Sequence, residues 1–525
     1  MKIVISDDLP TSAADLLRAE GWDVDAKAGR PADQLLKDLE TADALVVRSA
    51  TKVTADLIAA APKLRVIARA GTGVDNVDVA AASARGIVVM NAPGANSISV
   101  AELAVGLLVS MARHIPAADA AMKQGLWEKK KFLGEELREK TLGLAGLGRI
   151  GQEVARRAAA FGMRIIAHDP FIAEHVAESL NIELVSMDEL FARADYLSLH
   201  MPSTPSTKGM INAERLAKSK KGIRIVNTAR GDLINEAALA DAIESGHVAG
   251  AALDVFLKEP TVDHRLQMLP QVIATPHVAA STREGQELVG METAAALRDF
   301  LRDGMIRNAV NFPSVSAEDY SRLEPFLVLA ERLGAFLAQM TDARIESVGV
   351  RYYGELAESK NDLVASAVLV GLFKPILSSA VSPVNARQIA ADRGIEVVES
   401  RSSRQRNFTR LLSVKLTTSE GERWVEGAVF DKTAPRLVLV DGIAVEASLE
   451  GTLVVLQNSD QPGVIGEVGT VLGKAGVNIA SFALGRNGDQ AIGVVNVDAP
   501  AGLSDSVVAD IRKVHAVKTA RIVRV

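Results

Sequence analysis

Three closely spaced glycines within residues 143–170, GLAGLGRIGQEVARRAAAFGMRIIAHDP, could hold a phosphate. Gly146, Gly148 and Gly151 have GxGxxG spacing between an apolar run and an amphipathic helical pattern. In a dinucleotide site they allow a tight turn, backbone approach to the pyrophosphate and close helix–strand packing. The pyrophosphate lies at the positive end of the helix. A purely structural turn is the alternative, because turns collect glycine. The flanking strand and helix patterns favour the cofactor site.

Asp169 ends the next strand-like run, RIIAHD, about twenty residues after the glycines. A carboxylate at this place accepts hydrogen bonds from the adenosine ribose hydroxyls. It would also repel the additional phosphate of NADP. The sequence therefore predicts that the cofactor is NAD.

Three polar residues follow strand-like runs further along the chain: Arg230 in NTARGDLI, Glu259 in LDVFLKEP and His277 in ATPHVAAST. Hydride exchange with a 2-hydroxy acid needs a base, a partner for that base and a cation for the carboxylate. Histidine titrates near neutral pH, a carboxylate stabilises its charged form, and the arginine fork matches a carboxylate. Because strand carboxyl ends line the ligand crevice of an open α/β sheet, these residues predict a dehydrogenase site.

The elements that must position these residues alternate between short β-branched runs and helical patterns. Runs such as KIVIS (2–6), RVIARA (65–70) and IRIVNT (223–228) are typical of strands buried on both faces of a parallel sheet. They fall into two groups, which predicts two α/β domains of the doubly wound, Rossmann-like kind. We expect the helical segments 98–115 and 281–304 to carry the chain to the second domain and back.

The second half of the chain has a different pattern. Residues 317–449 mix amphipathic helix with strands and predict an α+β middle domain, and the last 75 residues or so read as βαββαβ, a ferredoxin-like order. The predicted domains are a discontinuous substrate-binding domain, an NAD-binding domain, a middle domain and a regulatory domain. Their predicted bounds are 1–97 with 282–311, 98–281, 312–449 and 450–525, respectively.

The motifs GLGRIG, NTARG, LDVF with EP, and PH with ST resemble those of the D-isomer-specific 2-hydroxyacid dehydrogenase family. The stretches RAGTGVDNVD (69–78) and NAPGANSISVAE (91–102) extend the resemblance over most of residues 1–311. VNARQIAADRGI (384–395) and a C-terminal ACT-like domain resemble the long form of the family. That resemblance implies NAD-dependent oxidation of D-3-phosphoglycerate to 3-phosphohydroxypyruvate, which opens the phosphorylated route to L-serine.

The resemblance also assigns residues to roles. The implied catalytic residues are Arg230, Glu259 and His277. The implied cofactor contacts, besides the three glycines, are Thr72, Arg149, Ile150, Asp169, Thr228 and Asp254. The implied substrate contacts are Ala70, Gly71, Thr72, Gly73 and Asn96, with Arg48 and Arg69 facing the phosphate. Two arginines that end neighbouring strands also make a good dianion site on chemical grounds.

Plainer interpretations of several residues stay open. His277 could cap a turn before the helix near Ser281, and Arg230 could only pair with Asp232. Asp254 could cap a turn, and Arg48 could be a surface residue. The run WEKKKF (127–132) reads as a solvated loop, or as a loop that lends one of Lys129 to Lys131 to the phosphate in a neighbouring subunit.

Two predictions concern regulation and assembly. Asp460 precedes a helix and Asn478 opens the next strand, and we expect the βαββαβ order to bring both to one end of the sheet. An effector site for L-serine between paired ACT-like domains follows, although Asn458 stands where serine-sensitive relatives often have histidine or tyrosine. The segment 98–115 has more apolar positions than one helix face buries. We therefore expect a homotetramer.

Composition narrows the class of protein. A formal charge of −6 argues against nucleic-acid binding, no cysteine is present, and the spacing of histidines and carboxylates matches no metal site. The apolar runs are too short to span a bilayer, and the N-terminus resembles no signal or transit segment. We expect a cytoplasmic enzyme. A glyoxylate or hydroxypyruvate reductase and a non-enzymatic NAD-sensing corepressor are the alternatives.

Overall fold

The computed structural model describes residues 1–261, 264–358, 361, 363–404, 406–499 and 503–525. The described residues form four β-sheets, two of them parallel, one mixed and one antiparallel. The fold class predicted from the sequence is therefore confirmed: two doubly wound α/β units precede an α+β unit and a ferredoxin-like unit.

The first sheet is parallel, with strand order β2-β1-β3-β4-β5, a doubly wound order. Its strands are β1 (Lys2–Ile5), β2 (Asp23–Ala26), β3 (Ala44–Val47), β4 (Val66–Arg69) and β5 (Val88–Met90). Its helices are α1 (Thr11–Arg18), α2 (Ala32–Leu39), α3 (Ala55–Ala59) and α4 (Val79–Ala84). The central strand β3 is buried along its whole length, as the short apolar run predicted.

Two helices leave this sheet, α5 (Ser97–Arg113) and α6 (Ile115–Lys123). Most apolar side chains of α5 are buried within the chain, for example Leu107, Leu108 and Met111. Ile98, near the start of α5, is 54% exposed, so the cover of this helix is not complete, and its contact with a partner stays a prediction. Further exposed apolar side chains follow the helix, and they are Ile115, Met122, Leu126, Trp127 and Leu133.

The second sheet is also parallel, and its order β12-β11-β10-β9-β6-β7-β8 is that of a dinucleotide-binding fold. Its strands are β6 (Thr141–Ala145), β7 (Arg164–His168), β8 (Glu183–Leu184), β9 (Tyr196–Leu199), β10 (Ile223–Asn227), β11 (Val248–Leu253) and β12 (Val272–Ala274). Its helices are α7 (Arg149–Ala160), α8 (Glu174–Ser179), α9 (Met187–Arg193), α10 (Ala213–Lys218), α11 (Glu236–Glu244) and α12 (His264–Gln267). The strand order reverses between β6 and β9, and ligands bind at such a switch point.

Helix α13 (Arg283–Asp303) returns the chain to the first unit. Its residues Ala294, Leu297 and Phe300 belong to the same apolar cluster as strands β1 and β3. The residues after it pair with β5 through an isolated bridge between Met90 and Ala309. The bounds of the discontinuous domain stay a prediction, and this packing supports them.

The mixed sheet has the order β14-β13-β15-β16-β17-β18, in which only β13 and β14 are parallel neighbours. Its strands are β13 (Ile345–Gly354), β14 (Glu396–Ser402), β15 (Arg410–Thr418), β16 (Gly421–Phe430), β17 (Ala434–Val440) and β18 (Ile443–Ser448). Its helices are α14 (Ala317–Gln339), α15 (Glu355–Glu358), α16 (Val364–Phe373) and α17 (Ala386–Asp392). The middle unit is built around the packing of α14 and α16 against this sheet.

The fourth sheet is antiparallel, with the ferredoxin-like order β20-β21-β19-β22. Its elements are β19 (Thr452–Ser459), α18 (Val464–Lys474), β20 (Asn478–Asn487), β21 (Gln490–Asp498), α19 (Asp505–Ile511) and β22 (Val517–Arg524). One face packs on its own helices, through residues such as Val454 and Leu456. The other face joins the core of the middle unit through Leu453 and Val455. The last two units therefore share one core.

A small joint fastens the middle unit to the first sheet. Ser382 donates a hydrogen bond of 2.7 Å to the carbonyl of Gly86, and Val384 packs against the core of the first unit. Gly86 has φ +71°, and a Cβ there would lie 2.6 Å from Ser382 Oγ and 2.9 Å from Asn385 Nδ2. The stretch VNARQIAADRGI thus begins at a contact between units, which the sequence had not indicated.

No single helix in the part of the chain that the structure describes is long and apolar enough to cross a bilayer. Helices α5 and α6 pass that test only together, and they meet at a bend of 65°.

Candidate active site

The glycine loop lies at the switch point, between β6 and α7. Gly146 has φ +100°, and a Cβ there would collide with the carbonyl oxygen of His200; a Cβ on Gly151 would collide with the carbonyl of Gly146. A Cβ on Gly148, in contrast, would meet no atom within 4 Å. The first and third glycines are therefore required by packing. The second faces open space at the start of α7, where a pyrophosphate fits.

Asp169 follows β7 and holds the glycine loop. Its carboxylate accepts the backbone N–H of Leu147 at 2.8 Å and that of Phe171 at 2.9 Å. The side chain is half-buried. A carboxylate has about four acceptor positions, so capacity remains for ribose hydroxyls. Asp169 therefore lies beside the glycine loop, as the sequence predicted. Its contact with a ribose stays a prediction.

Two buried polar atoms beside this loop have no hydrogen-bond partner among the described residues: Thr228 Oγ1 and His200 Nδ1. The other ring nitrogen of His200 lies 2.8 Å from Ser198 Oγ. Burial lowers the pKa of His200 to about 4, so its ring is neutral at neutral pH. Unpaired buried polar atoms are costly, and a polar cofactor in the crevice would offer them partners. The residues present therefore fit a dinucleotide.

The predicted acid–base pair is present. His277 Nδ1 lies 2.6 Å from Glu259 Oε2, and the other carboxylate oxygen accepts the backbone N–H of Phe256 at 3.0 Å. The His277 side chain is 53% exposed, so the cleft solvent reaches its ring. This arrangement fixes the ring through Nδ1 and leaves Nε2 for a substrate hydroxyl.

Arg230 follows β10 of the second sheet, and its side chain contacts a loop of the first sheet. Its Nη2 lies 3.1 Å from Asp75 Oδ2, and its Nη1 donates to the carbonyl of Ala229 at 2.7 Å. A Cβ on Gly73 would collide with the guanidinium in this position, so a larger residue there would displace Arg230. The alternative pairing with Asp232 is not what the structure shows, because Asp232 accepts a hydrogen bond from Ser203 and Arg230 pairs with Asp75.

Two further arginines face the same place. Arg69 folds back over Gly71, and its Nε is buried without a partner among the described residues. Burial, and next the neighbouring charges of Arg230 and Arg48, lower the pKa of Arg69, while Asp75 opposes this shift. Arg48 donates to the carbonyl of Asp8 at 3.1 Å. Three clustered guanidinium groups form a site for a polyanion.

The remaining predicted substrate contacts lie in one loop system. Thr72 Oγ1 donates to Asn96 Oδ1 at 2.9 Å, and Asn91 Nδ2 donates to the carbonyl of Thr72 at 2.6 Å. Ala70 and Asn96 are buried. Arg149, at the start of α7, donates from its Nη1 to the carbonyl of Pro93, and Ile150 packs on the core of the second unit. The Arg149–Pro93 hydrogen bond thus joins the second unit to the loop that holds these substrate contacts.

Asp254 has a different environment from the one predicted. It has no exposed surface, and its carboxylate accepts three hydrogen bonds from residues 275–279. A cofactor in the open cleft contacts exposed atoms, and Asp254 exposes none. The predicted contact between the cofactor and Asp254 stays a prediction. The hydrogen bonds of Asp254 favour a role in holding the loop of His277.

Two residues of this site were missed by the sequence reasoning. Asp75 stands in RAGTGVDNVD, and its charge between Val74 and Asn76 in a glycine-rich loop was the available signal. Asn227 is buried at the end of β10 and binds the loop of Arg230. A polar residue that ends an apolar strand run was the signal in that case.

The predicted effector residues do not meet within one chain. Asp460 follows the end of β19, while Asn478 pairs with Asp498 at the opposite end of the sheet. The expectation of one shared end is wrong, because β20 runs parallel to β19 and begins where β19 begins. Asp460 lies 3.5 Å from Arg486, and Asn478 donates to Asp498 at 2.7 Å.

Lys129 to Lys131 form part of a short 3-10 helix, Lys129–Phe132, on the surface. Lys131 pairs with Glu128 at 2.5 Å. No group of three or more potential metal ligands occurs among the described histidines and carboxylates.

Three family models match successive parts of the chain. The model of the D-isomer specific 2-hydroxyacid dehydrogenase NAD binding domain matches residues 105–279. The D-3-phosphoglycerate dehydrogenase intervening domain matches 322–441, and the ACT domain matches 452–509. The fold and site therefore define an NAD-dependent dehydrogenase of D-2-hydroxy acids with an ACT domain.

Full-length relatives narrow the class. The chain is 43% identical to the D-3-phosphoglycerate dehydrogenase of Methanocaldococcus jannaschii, covering 100% of this chain and 99% of that one. It is 42% identical to that of Archaeoglobus fulgidus, with 94% of each covered. The chain belongs to the D-3-phosphoglycerate dehydrogenase family.

Two solved structures resemble about three fifths of the chain. A glyoxylate reductase from Paecilomyes thermophila superposes with a TM-score of 0.55 at 32% identity, covering 59% of this chain and 98% of that one. D-lactate dehydrogenase from Aquifex aeolicus, complexed with NAD and lactic acid, has a TM-score of 0.53 at 27% identity, covering 60% and 100%.

Proposed function

We propose that the chain oxidises D-3-phosphoglycerate to 3-phosphohydroxypyruvate with NAD, the first step of phosphorylated L-serine biosynthesis. One observation carries this proposal: three arginines and a His277–Glu259 pair converge on the cleft between the two parallel sheets. A substrate with a carboxylate, a hydroxyl and a phosphate satisfies all of them. The full-length relatives bear the name of this activity.

The chemistry divides among the residues as follows. Bound NAD supplies the hydride acceptor. His277 accepts the hydroxyl proton at Nε2, and Glu259 stabilises the resulting imidazolium through Nδ1. Arg230 binds the substrate carboxylate, which takes the place now held by the Asp75 carboxylate. Arg48 and Arg69 bind the phosphate, whose charge offsets the repulsion among the guanidinium groups.

The substrate is tested by following the rise of NADH absorbance with NAD and D-3-phosphoglycerate. In the reverse direction, the loss of NADH absorbance is followed with NADH and 3-phosphohydroxypyruvate, hydroxypyruvate or glyoxylate. Turnover of the phosphorylated pair at a kcat/KM at least tenfold above the others supports the proposal. Preference for glyoxylate or hydroxypyruvate would identify the reductase instead. NAD binding without turnover of any of these substrates would favour the corepressor.

The ACT domain is proposed to bind L-serine between two copies of the chain. Asn458 Oδ1 is buried and has no partner among the described residues, and Asp460 lies on the loop that follows. These acceptors suit an ammonium group, while Asn478 supplies a donor for a carboxylate. Because Asn478 lies at the other end of the sheet, it would come from the partner, as a two-fold arrangement of paired sheets allows.

Calorimetric titration of the protein with L-serine tests the effector site. We expect serine heat in the wild type and none in Asp460→Ala, with D-serine as the control ligand. A wild type that shows neither heat nor a change in rate with serine would end this part of the proposal.

The assembly is proposed to be a homotetramer. Exposed apolar side chains after α5 include Trp127 at 81% and Leu133 at 86% exposure, which is costly on a free surface. The neighbouring Lys129 to Lys131 would then reach the partner's phosphate site. A sedimentation mass of one chain, 55.6 kDa, would contradict this. A cytoplasmic location is proposed because a chain without cysteine fits a reducing compartment.

A further inference from the structure

Two buried polar side chains stand behind the site at the carboxyl ends of adjacent strands. Asn227 is the last residue of β10, and Asp254 directly follows β11; both are 0% exposed. Their backbones are joined, because the N–H of Asp254 donates to the carbonyl of Asn227 at 2.9 Å. Neither side chain pairs with a cation among the described residues. Asn227 binds only loop backbone, and Asp254 binds loop backbone and the Thr275 hydroxyl.

Asp254 holds the loop that carries His277. Its Oδ1 accepts the Thr275 hydroxyl at 2.6 Å and the Val278 N–H at 2.9 Å, and its Oδ2 accepts the Ala279 N–H at 2.9 Å. Its carbonyl accepts the N–H of His277 at 2.9 Å. His277 has φ +54°, a left-handed conformation that is unfavourable for a side chain with a Cβ. These four bonds surround the strained residue on both sides.

Asn227 holds the loop that carries Arg230 in the same way. Its Nδ2 donates to the carbonyl of Arg230 at 2.8 Å, and its Oδ1 accepts the N–H of Ala229 at 3.0 Å. The amide thus closes a turn of three residues after the strand. An amide is needed, because one end must donate and the other must accept.

We infer that Asn227 and Asp254 are positioning residues, Asn227 for the carboxylate-binding Arg230 and Asp254 for the base His277. The inference rests on the proposed function for the roles of those two side chains. Small misplacement of a reacting group can cost about 100-fold in rate. Buried polar residues whose hydrogen bonds are all made with one loop act as fixed supports for the groups on that loop.

Substitutions of Asp254 and Asn227 should change different kinetic constants. Asp254→Asn places an amide donor against backbone donors, so His277 shifts, and kcat should fall by about 10- to 100-fold with KM nearly unchanged. Asn227→Asp places a carboxylate against the Arg230 carbonyl, so KM for the hydroxy acid should rise about tenfold or more with a smaller loss in kcat. In both variants the NADH dissociation constant should stay within about twofold of the wild type.

Asp195 provides the matched control. It accepts the Thr141 N–H at 2.8 Å and Lys220 Nζ at 2.7 Å at the amino-terminal edge of the same sheet. Asp195→Asn therefore disturbs a comparable network far from the cleft, and it should lower the melting temperature while leaving kcat and KM unchanged. Thr275→Val, which removes one of the Asp254 bonds, serves if Asp254→Asn fails to fold, and a kcat loss of about threefold or more is expected.

Wild-type turnover of D-3-phosphoglycerate is measured first, so that failure of the proposed function is seen separately. With that turnover established, kinetics of Asp254→Asn equal to those of Asp195→Asn would overturn the inference for Asp254. A tenfold weaker NADH affinity with retained kcat would overturn it as well, and would make Asp254 a cofactor contact. Equal effects on kcat and KM in both variants would overturn the separate assignments.

Discussion

The carboxyl edges of the two parallel sheets face each other across the cleft, and their buried polar groups differ in how they are paired. On the second sheet, Asn227 and Asp254 are fully buried and fully paired by loops of the same chain. On the first sheet, Arg69 has a buried Nε without a partner among the described residues, and its guanidinium lies near two others. The buried supports of Arg230 and His277 are paired in the protein alone, although Thr228 Oγ1 and His200 Nδ1 on the same edge have no partner among the described residues. The arginine cluster is unfavourable until an anion arrives.

This difference separates two tasks. A base must be held in place before the substrate binds, since orientation that is prepared in advance lowers the barrier. A phosphate site gains affinity when its cations repel each other in its absence, because binding relieves the repulsion. The chain therefore concentrates stability on the acid–base edge and leaves the anion edge incomplete.

The largest effect is expected at the acid–base pair. His277→Ala should lower kcat by about 10²- to 10⁴-fold, because general acid–base catalysis contributes that much. NADH affinity should not change, since the glycine loop lies on other residues. Stopped-flow turnover with a fluorescence titration of NADH checks both, and a variant with near-normal kcat would remove His277 from the reaction.

The next effect distinguishes the two edges directly. Arg69→Met should raise KM for D-3-phosphoglycerate by about 100-fold, the equivalent of about 3 kcal/mol for a charge-assisted contact. Because the change removes a repelled and desolvated cation, the melting temperature of the unliganded protein should not fall. Asp254→Ala, in contrast, should lower stability by about 1–3 kcal/mol by leaving backbone donors unpaired. Thermal unfolding that shows Arg69→Met to be the less stable variant would break the comparison.

The cofactor side gives a smaller, selective effect. Asp169→Ala combined with Phe171→Arg should move the ratio of kcat/KM for NAD over NADP by about tenfold or more toward NADP, because repulsion of the additional phosphate is replaced by attraction. Phe171 is 94% exposed, so arginine is accommodated there. Phe171→Arg alone is the control. An unchanged ratio in the double variant would mean that Asp169 does not meet the ribose.

The smallest effect sharpens the idea of an incomplete edge. Inorganic phosphate at about ten times its dissociation constant should stabilise the protein by about 1.4 kcal/mol, a rise of a few degrees in melting temperature. Arg48→Ala with Arg69→Met should lose that rise, whereas His277→Ala should keep it. Equal responses of the two variants would show that the phosphate binds elsewhere.

Local spacing was enough to predict the glycine loop, although the close contact that requires glycine at position 146 is made by His200, a residue of another strand end. The association of Arg230, Glu259 and His277 also followed from the sequence, because parallel strands bring their carboxyl ends to one edge. Their distances, and the partner of Arg230, did not follow. Asp75 belongs to the other sheet, and no pattern along the chain relates the two.

Two expectations depended on how neighbouring elements are arranged. Most apolar positions of α5 are buried because α7 and strands of the second sheet cover them, and the periodicity of one helix carries no information about its cover. Asp460 and Asn478 were expected at one end of a sheet, but the direction of β20 relative to β19 places them apart. In both cases the missing quantity was the arrangement of neighbouring elements.

By itself, the sequence determined the order of elements, the cofactor class and the residue types that perform the reaction. These depend on interactions within a strand, a turn or a helix, which the chain encodes over a few residues. The tertiary structure alone decided which charges remain unpaired, which buried side chains support the loops of Arg230 and His277, and that Ser382 fastens the middle unit at Gly86. Those features are made by residues far apart in the chain, whose separation becomes a contact only when all sheets have packed.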